Sequence, residues 1–338
     1  MSHFRFLTAG ESHGKTLTAI IEGLPSGFEI SENAINEELK RRQQGYGRSS
    51  RQQLENDVVE ITSGLSDGKT TGAPICLVIY NKDYSQKASF SKYRPGHADF
   101  AGSKKYNLDD LRDVLERASA RKTAIEVAVG ALAKQILSIF DIKCYSKVLQ
   151  IGTATEAFNE EVDNAREQGV SLGGKFEVVF ENLPVGLGSY VHWDRALDGK
   201  IAQAVMSIGG VKVVEIGENP LGKNGFEYHD EIFCDKEKIY RKTNNAGGIE
   251  GGMTNGEDLI VRAVMKPIPT MLKPLQTVDS KTLEQCEAYF ERSDVCAVES
   301  CAIVAENRIA CVLLDEFLQK FGGDSLKEIF KNLSKKEL

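Results

Sequence analysis

The stretch TAIEVAVGALAKQILSIF, residues 123–140, carries apolar side chains nearly all the way round a helix. A helix with a single apolar stripe can lie on a surface, but one without a polar face must be covered on more than one side. A second stretch of the same kind, CAVESCAIVAENRIACVLLDEFLQKF, runs over residues 296–321. Two such helices in one chain predict a helix layer covered by sheets on both sides. The common alternative, a central sheet with amphipathic helices outside, fits them less well.

The segments around these helices supply the strands. Residues 3–9 (HFRFLTA) alternate, and residues 16–24 (TLTAIIEGL) are β-branched and stop at Gly23. Further strands are predicted at 57–65, 73–81, 142–152, 174–184, 211–217 and 259–269. Ser31 can cap a helix running to about Gln43, with Ile35 and Leu39 one turn apart. A polar helix is expected near 155–168 and an amphipathic one at 193–208. Residues 81–106 read as a long loop, 108–140 as a helical stretch, and 218–257 as glycine-rich and weakly patterned. The charged C-terminal helix is expected to fray. With no Pro- or Ser-rich linker, the whole of residues 1–338 reads as a single domain.

Composition narrows the function. A net charge of −7 argues against a general nucleic-acid binder, and no basic–aromatic interleaving supports one. There is no apolar run long enough for a membrane span and no secretory h-region, so neither membrane nor export is expected. The seven cysteines are scattered with no C-x-x-C pair, which reads as reduced thiols in a cytoplasmic protein with no metal site.

The opening stretch TAGESHGKT, residues 8–16, loosely resembles a phosphate-binding loop. Such a loop is followed by a helix whose N-terminus faces the phosphates. Here Ala9 replaces the first glycine, Glu11 would place a carboxylate in the cradle, and Thr16–Ile21 reads as a strand. The better reading is a turn between two strands that carries Glu11, Ser12 and His13. A P-loop-type nucleotide-binding kinase is the rival enzyme reading of residues 9–16. A non-catalytic flavoprotein or anion-binding scaffold is the rival non-enzyme reading.

Basic segments supply the context for His13. RRQQGYGRSSR puts Arg41, Arg42, Arg48 and Arg51 in one loop, with Gly45 and Gly47 as possible hinges of a lid. YRPGHAD adds Arg94 and His97; ERASARKT adds Arg117 and Arg121 around the small Ala118, Ser119 and Ala120. ERSDVCAVES adds Arg292 and Asp294 before the second apolar helix. NNAGGIEGGMTNGE offers backbone N–H groups to an anion, and MKPIPT adds Lys266 and Thr270. Each segment has a bland reading as surface charge, helix cap or flexible loop. Together they describe a small-molecule site with several arginines, two histidines and a carboxylate.

These segments, in this order from residue 8 to about 315, resemble the chorismate synthase family. GESHGKTLTAIIEGLP, ERASARKTAIEVAVGAL and RSDVCAVESCAIVAE are similar to its N-terminal, middle and C-terminal signatures. The resemblance implies an α+β fold, a β-α-β sandwich with long helices between antiparallel sheets, as a homotetramer. It implies conversion of 5-enolpyruvylshikimate 3-phosphate to chorismate, with reduced FMN required. It further implies His13, His97 and Asp294 as catalytic residues, and Arg42, Arg48, Arg51, Arg94, Arg121 and Arg292 as substrate ligands. The family's FMN contacts fall on Arg117, Ala118, Ser119, Gly209, Gly210, Gly251, Lys266, Pro267, Ile268, Pro269, Thr270 and Arg292. Gly209–Gly210, Val214 and Lys122 depart from the residues most usual in the family. No segment resembles a Rossmann unit, so reduced flavin is expected from an external flavin reductase rather than from NADPH through this chain.

Overall fold

A computed structural model describes residues 4–48, 56–84, 88–236, 238–290 and 294–336. The first sheet has the order β1 (Arg5–Gly10), β2 (Thr16–Glu22), then β4 (Ile75–Tyr80) and β3 (Val59–Ser63), all antiparallel. The second has the order β5 (Lys143–Ile151), β6 (Gly174–Glu181), then β8 (Leu259–Met265) and β7 (Val211–Ile216), again antiparallel. Between them lie α1 (Glu32–Gln43), α4 (Thr123–Ser138), α6 (Leu197–Met206) and α7 (Val298–Phe321). Helix α4 meets the first sheet, α7 meets the second, and the two helices pack on each other. The expected β-α-β sandwich is therefore the observed architecture.

Strand alternation explains the covering of the helices. On β2, Leu17, Ala19 and Ile21 turn inward and are fully buried, while Ile20 faces out. Ile75, Leu77 and Ile79 do the same on β4. Helix α1 starts as expected, with Ser31 Oγ accepting from the Ala34 N–H, and it buries Ile35 and Leu39. One continuous hydrophobic cluster joins residues of both sheets and all four helices.

The helix–helix contact is closest at Gly130. A Cβ there would stand 2.4 Å from Asn307 Cβ and 2.5 Å from the Asn307 carbonyl oxygen, so only glycine fits. One residue away, the fully buried Glu306 accepts from Arg41 at 2.9 and 3.1 Å and from Lys134. Glu38 closes the cluster, 2.6 Å from Arg41 and 2.9 Å from Lys134. Burial alone would raise the Glu306 carboxyl, but the Arg41 and Lys134 partners outweigh it and bring it down to about 2. Arg41, read from sequence as a loop arginine for an anion, is instead on α1 and ties α1, α4 and α7 together.

Other expectations need correction. Residues 81–106 are not all loop: α2 (Asp99–Tyr106) closes them. The 108–140 stretch is broken into α3 (Leu111–Ala118), a 3-10 turn (Ala120–Lys122) and α4, because Ser119 leaves helical geometry and its Oγ caps the turn. Residues 218–257 hold a one-turn helix (Gly225–Tyr228), a strand pair Ile232–Asp235 with Lys238–Arg241, and a short hairpin Ile249–Thr254. The polar helix near 155–168 is α5 (Phe158–Gln168). The C-terminal helix α8 (Leu326–Lys336) docks through the fully buried Ile329, and Phe330 contacts Phe140. Among the described residues no helix is long and apolar enough to cross a membrane.

Two tests follow from the helix layer. Glu306→Gln leaves Arg41 and Lys134 with Glu38 as their remaining carboxylate and should cost about 1.5–3 kcal/mol in urea unfolding at neutral pH, the worth of charge-assisted hydrogen bonds. Because the folded carboxyl sits below its ordinary 4.5, its stabilisation is complete above that value. It is lost as pH falls from there toward about 2, so the acid slope should flatten in the variant. An unchanged urea midpoint would contradict this role. Gly130→Ala should destabilise by roughly 1–3 kcal/mol through overpacking; a neutral effect would show that the helices can separate at little cost.

Candidate active site

The turn between β1 and β2 presents His13. Gly10 enters it at φ +108°, where a Cβ would lie 2.3 Å from the Thr16 carbonyl oxygen. Asn81 braces the far side, its Nδ2 donating to the carbonyls of Glu11 (3.2 Å) and Gly14 (2.7 Å). Thr16 then begins an antiparallel strand rather than a helix. Because residues 9–16 lead into a strand and not a helix, the strand–loop–helix geometry of a phosphate-binding loop is missing, and the nucleotide reading fails there.

His13 is nearly buried, and Glu116 of α3 holds it twice. Its Nδ1 is 2.8 Å from Glu116 Oε1, and its backbone N–H donates to Oε2 at 2.7 Å. The Ser12 N–H donates to the Glu116 carbonyl, and Ser119 Oγ donates to Ser12 Oγ at 3.2 Å.

His97 lies in the loop before α2. Its Nδ1 is 2.7 Å from Oδ1 of Asp99, a fully buried carboxylate. Arg94 donates to the same carboxylate from its backbone N–H (3.1 Å), from Nε (2.7 Å) and from Nη2 (2.7 Å). Burial pushes the Asp99 carboxyl up, but the hydrogen bonds from Arg94 and His97 prevail and hold it at about 2.

Arg42 and Arg121 share a third buried carboxylate, Asp57. Arg121 Nη1 is 2.7 Å from it and Arg42 Nη1 is 3.5 Å from it. Arg42 Nε donates to Thr123 Oγ1, and Arg121 Nε donates to Asn81 Oδ1. Burial, with the like charges of Arg121 and Arg48, pulls Arg42 down to about 10 against the attraction of Asp57. Arg48 forms a 2.8 Å ion pair with Asp294.

These groups converge on one cavity of about 410 Å³ at the end of the helix layer. His13, His97, Asp294, Arg42, Arg48 and Arg94 line it. So do Ala118, Ser119, Gly209, Gly210 and the whole run Lys266–Thr270. The Lys266 N–H donates to the Gly210 carbonyl at 2.9 Å, which places the run beside the two glycines. A Cβ at Gly209 would meet nothing within 4 Å, so that wall is open.

Other expected residues stand elsewhere. Arg121 backs the cavity through Asp57 and Asn81 rather than lining it. Arg117 turns to the backbone of β1, donating to the carbonyls of Gly10 (3.0 Å) and Thr8 (2.9 Å). Gly251 lies exposed in the Ile249–Thr254 hairpin, away from the cavity lining. The nearby Gly217 and Gly247 serve close backbone contact, since a Cβ on Gly247 would lie 2.3 Å from Gly217 Cα. The expected hinge is also packed: a Cβ at Gly45 would meet Glu299, one at Gly47 would meet Val162, and the Val295 N–H donates to the Gly47 carbonyl. Arg51 and Arg292 lie outside the described residues.

Several cavity residues were not singled out from the sequence as site residues. Lys122 adds a cation, and Leu115, Ile208, Met265 and Val304 form an apolar wall. Glu116, Asp99 and Asp57 support the site from behind. Glu116 and Asp99 sit inside the quoted ERASARKT and RPGHAD segments, but a carboxylate's partners are invisible until the chain is folded.

The same arrangement of segments occurs in known proteins. A family model described as chorismate synthase matches residues 4–318. The chorismate synthase of Thermoanaerobacter pseudethanolicus is 53% identical over 341 residues, covering 97% of each chain. That of Geobacter sulfurreducens is 46% identical over 380 residues, again covering 97% of each. A crystal structure of chorismate synthase superposes with a TM-score of 0.82 at 40% identity, over 98% of this chain and 97% of that one. With its family signatures in order and its sandwich shared with a solved member, the chain belongs to the chorismate synthase family.

Proposed function

We propose that the cavity between His13 and His97 is where this chain carries out the reaction of its family. 5-Enolpyruvylshikimate 3-phosphate loses its 3-phosphate and a C6 hydrogen from opposite faces, a 1,4-elimination giving chorismate and phosphate. The chain is thus a carbon–oxygen lyase of aromatic amino acid biosynthesis. The observation that carries the assignment to this cavity is the convergence of two carboxylate-backed histidines with Arg42, Arg48 and Arg94.

The substrate brings two carboxylates and a phosphate. Three guanidiniums fixed by carboxylates, two of them buried, form a preorganised counter-charge, so little reorganisation is needed as charge grows on the departing phosphate. His97, beside Arg94, supplies the proton for the leaving phosphate. Asp294, paired with Arg48, passes on the proton lost from C6. His13, held at Nδ1 by Glu116, steadies the reduced cofactor by proton donation on its other side. Arg51 and Arg292, further substrate ligands by the family resemblance, lie outside the described residues.

The walls suit a reduced flavin. Leu115, Ile208, Met265 and Val304 offer an apolar face for a ring system, and Ala118, Gly209 and Gly210 leave room beside it. Lys266–Thr270 and Ser119 would hold its polar edge. Reduced FMN, when bound, lends electron density to the breaking C–O bond and recovers it, so there is no net redox change. The protein's part is to orient C6, exclude water and keep the protons in place.

The seven cysteines carry no disulfide, which agrees with a reducing, cytoplasmic setting. A homotetramer and an external source of reduced flavin belong to the same reading.

An anaerobic assay with 5-enolpyruvylshikimate 3-phosphate and photoreduced FMN should give chorismate and phosphate in equal amounts, and only with reduced flavin. Folded protein that binds these ligands without turnover would instead be an anion-binding scaffold. His13→Ala should keep substrate binding while turnover falls by a factor on the order of ten or more; unchanged turnover removes His13 from the mechanism. With NADPH and oxidised FMN alone, no product should form, and product formation there would show a built-in flavin reductase. Light scattering checks the tetramer.

A further inference from the structure

We infer that Asp99 is a positioning residue that fixes the tautomer of His97 and, through the same carboxylate, the direction of Arg94. The inference rests on the assignment of His97 and Arg94 to the reaction above, and the geometry supplies the rest.

Asp99 is the first residue of α2 and is fully buried. Its two oxygens divide the work. Oδ2 accepts the backbone N–H and Nε of Arg94, while Oδ1 accepts Arg94 Nη2 and faces His97 Nδ1 at 2.7 Å. The carboxyl is ionised at any ordinary pH, held at about 2 by these partners against its own burial. An ionised carboxylate only accepts, so the proton of that 2.7 Å contact must sit on His97 Nδ1. Arg94 Nη2, 2.9 Å from the same ring nitrogen, is then a second donor to a shared oxygen and gives no hydrogen bond to the ring. Nε2 is left as the nitrogen that takes up and delivers a proton on the cavity side. The ring edge and the guanidinium are thereby set by one group, which keeps the acid and the anion holder in register.

An asparagine at this position would break that arrangement without changing its shape. Both oxygens now serve two donors, but the backbone N–H of Arg94 cannot turn away, so the one oxygen of asparagine would stay with it and Nε. Its amide nitrogen would then take the place of Oδ1 and donate to His97 Nδ1. The proton would move to Nε2, the wrong nitrogen for a neutral ring that has to collect one. A wrong tautomer in an otherwise intact site is known to reduce turnover by orders of magnitude.

The experiment uses the full chain with ring-¹⁵N-labelled histidine. The chain has five histidines, and His97→Gln identifies the His97 signals. At alkaline pH, where imidazole is neutral, wild-type His97 should carry its proton on Nδ1, and Asp99→Asn should shift it to Nε2. In the lyase assay Asp99→Asn should lower kcat on the order of 100-fold and also raise KM, because Arg94 Nη2 loses its acceptor. Asp99→Glu should keep the Nδ1–H tautomer and recover part of kcat. A wild-type His97 protonated on Nε2 overturns the inference with no variant needed. So does Asp99→Asn with a shifted tautomer and kcat within about twofold of wild type, or Asp99→Glu that keeps the tautomer yet recovers nothing over Asp99→Asn. Should wild-type protein fail to turn over the substrate, the functional reading falls, while the tautomer readout still decides the role of Asp99.

Discussion

The close crossing of α4 and α7 at Gly130 and Asn307 is the constraint on which the rest of the structure depends. With no side chain on one partner, the helices come near enough for Glu306 of α7 to reach Lys134 of α4 and Arg41 of α1. That ion cluster stands inside an otherwise apolar layer, where an uncompensated charge would be costly. It therefore fixes the register of three helices at once. The two sheets close over this layer from opposite sides. The cavity lies where the layer ends, with Thr123 at the start of α4 and Ala297, Ser300 and Val304 at the start of α7.

Carboxylates recur behind the histidines and arginines around the cavity. Glu116 serves His13, Asp99 serves His97 and Arg94, Asp57 serves Arg42 and Arg121, and Asp294 pairs with Arg48. Each carboxylate holds its cation's direction while keeping the local sum of charge near neutral before a ligand arrives. A cluster of unpaired guanidiniums at this density would repel itself, as the downward pull on Arg42 by Arg121 and Arg48 shows. The acidic net charge of the chain is thus compatible with an anion site.

Much of this was legible in the sequence where periodicity carried the signal. The all-round apolar helices at 123–138 and 298–321 gave the layer order, and alternation gave the strands that cover it. Single side chains were read less well. Arg41 and Arg42 are adjacent in sequence and identical in type, yet one faces the helix layer and the other the cavity. Only helix phase relative to distant partners separates them. The glycines at 45 and 47 read as hinges because glycine permits motion, but here it permits contact with Glu299 and Val162. Gly247 and Gly248 likewise serve packing against Gly217 and Asp258. Arg117 follows the same pattern, since nothing in ERASARKT indicates that its guanidinium would be taken by the carbonyls of β1.

The cavity wall draws on chain segments that lie far apart: the turn at 12–13, the end of α1, the loop before α2, residues 118–123, 208–210, 265–270 and the start of α7. The N-terminal strand is further tied to α7, with the Phe4 N–H donating to Asp315. Loop closure must bring all of these together before the first productive encounter with a ligand can occur. No fragment that stops short of α7 holds the whole lining. During synthesis on the ribosome the cavity lacks one wall until α7 has emerged and docked, so a finished site is itself a report that the two ends of the chain have met.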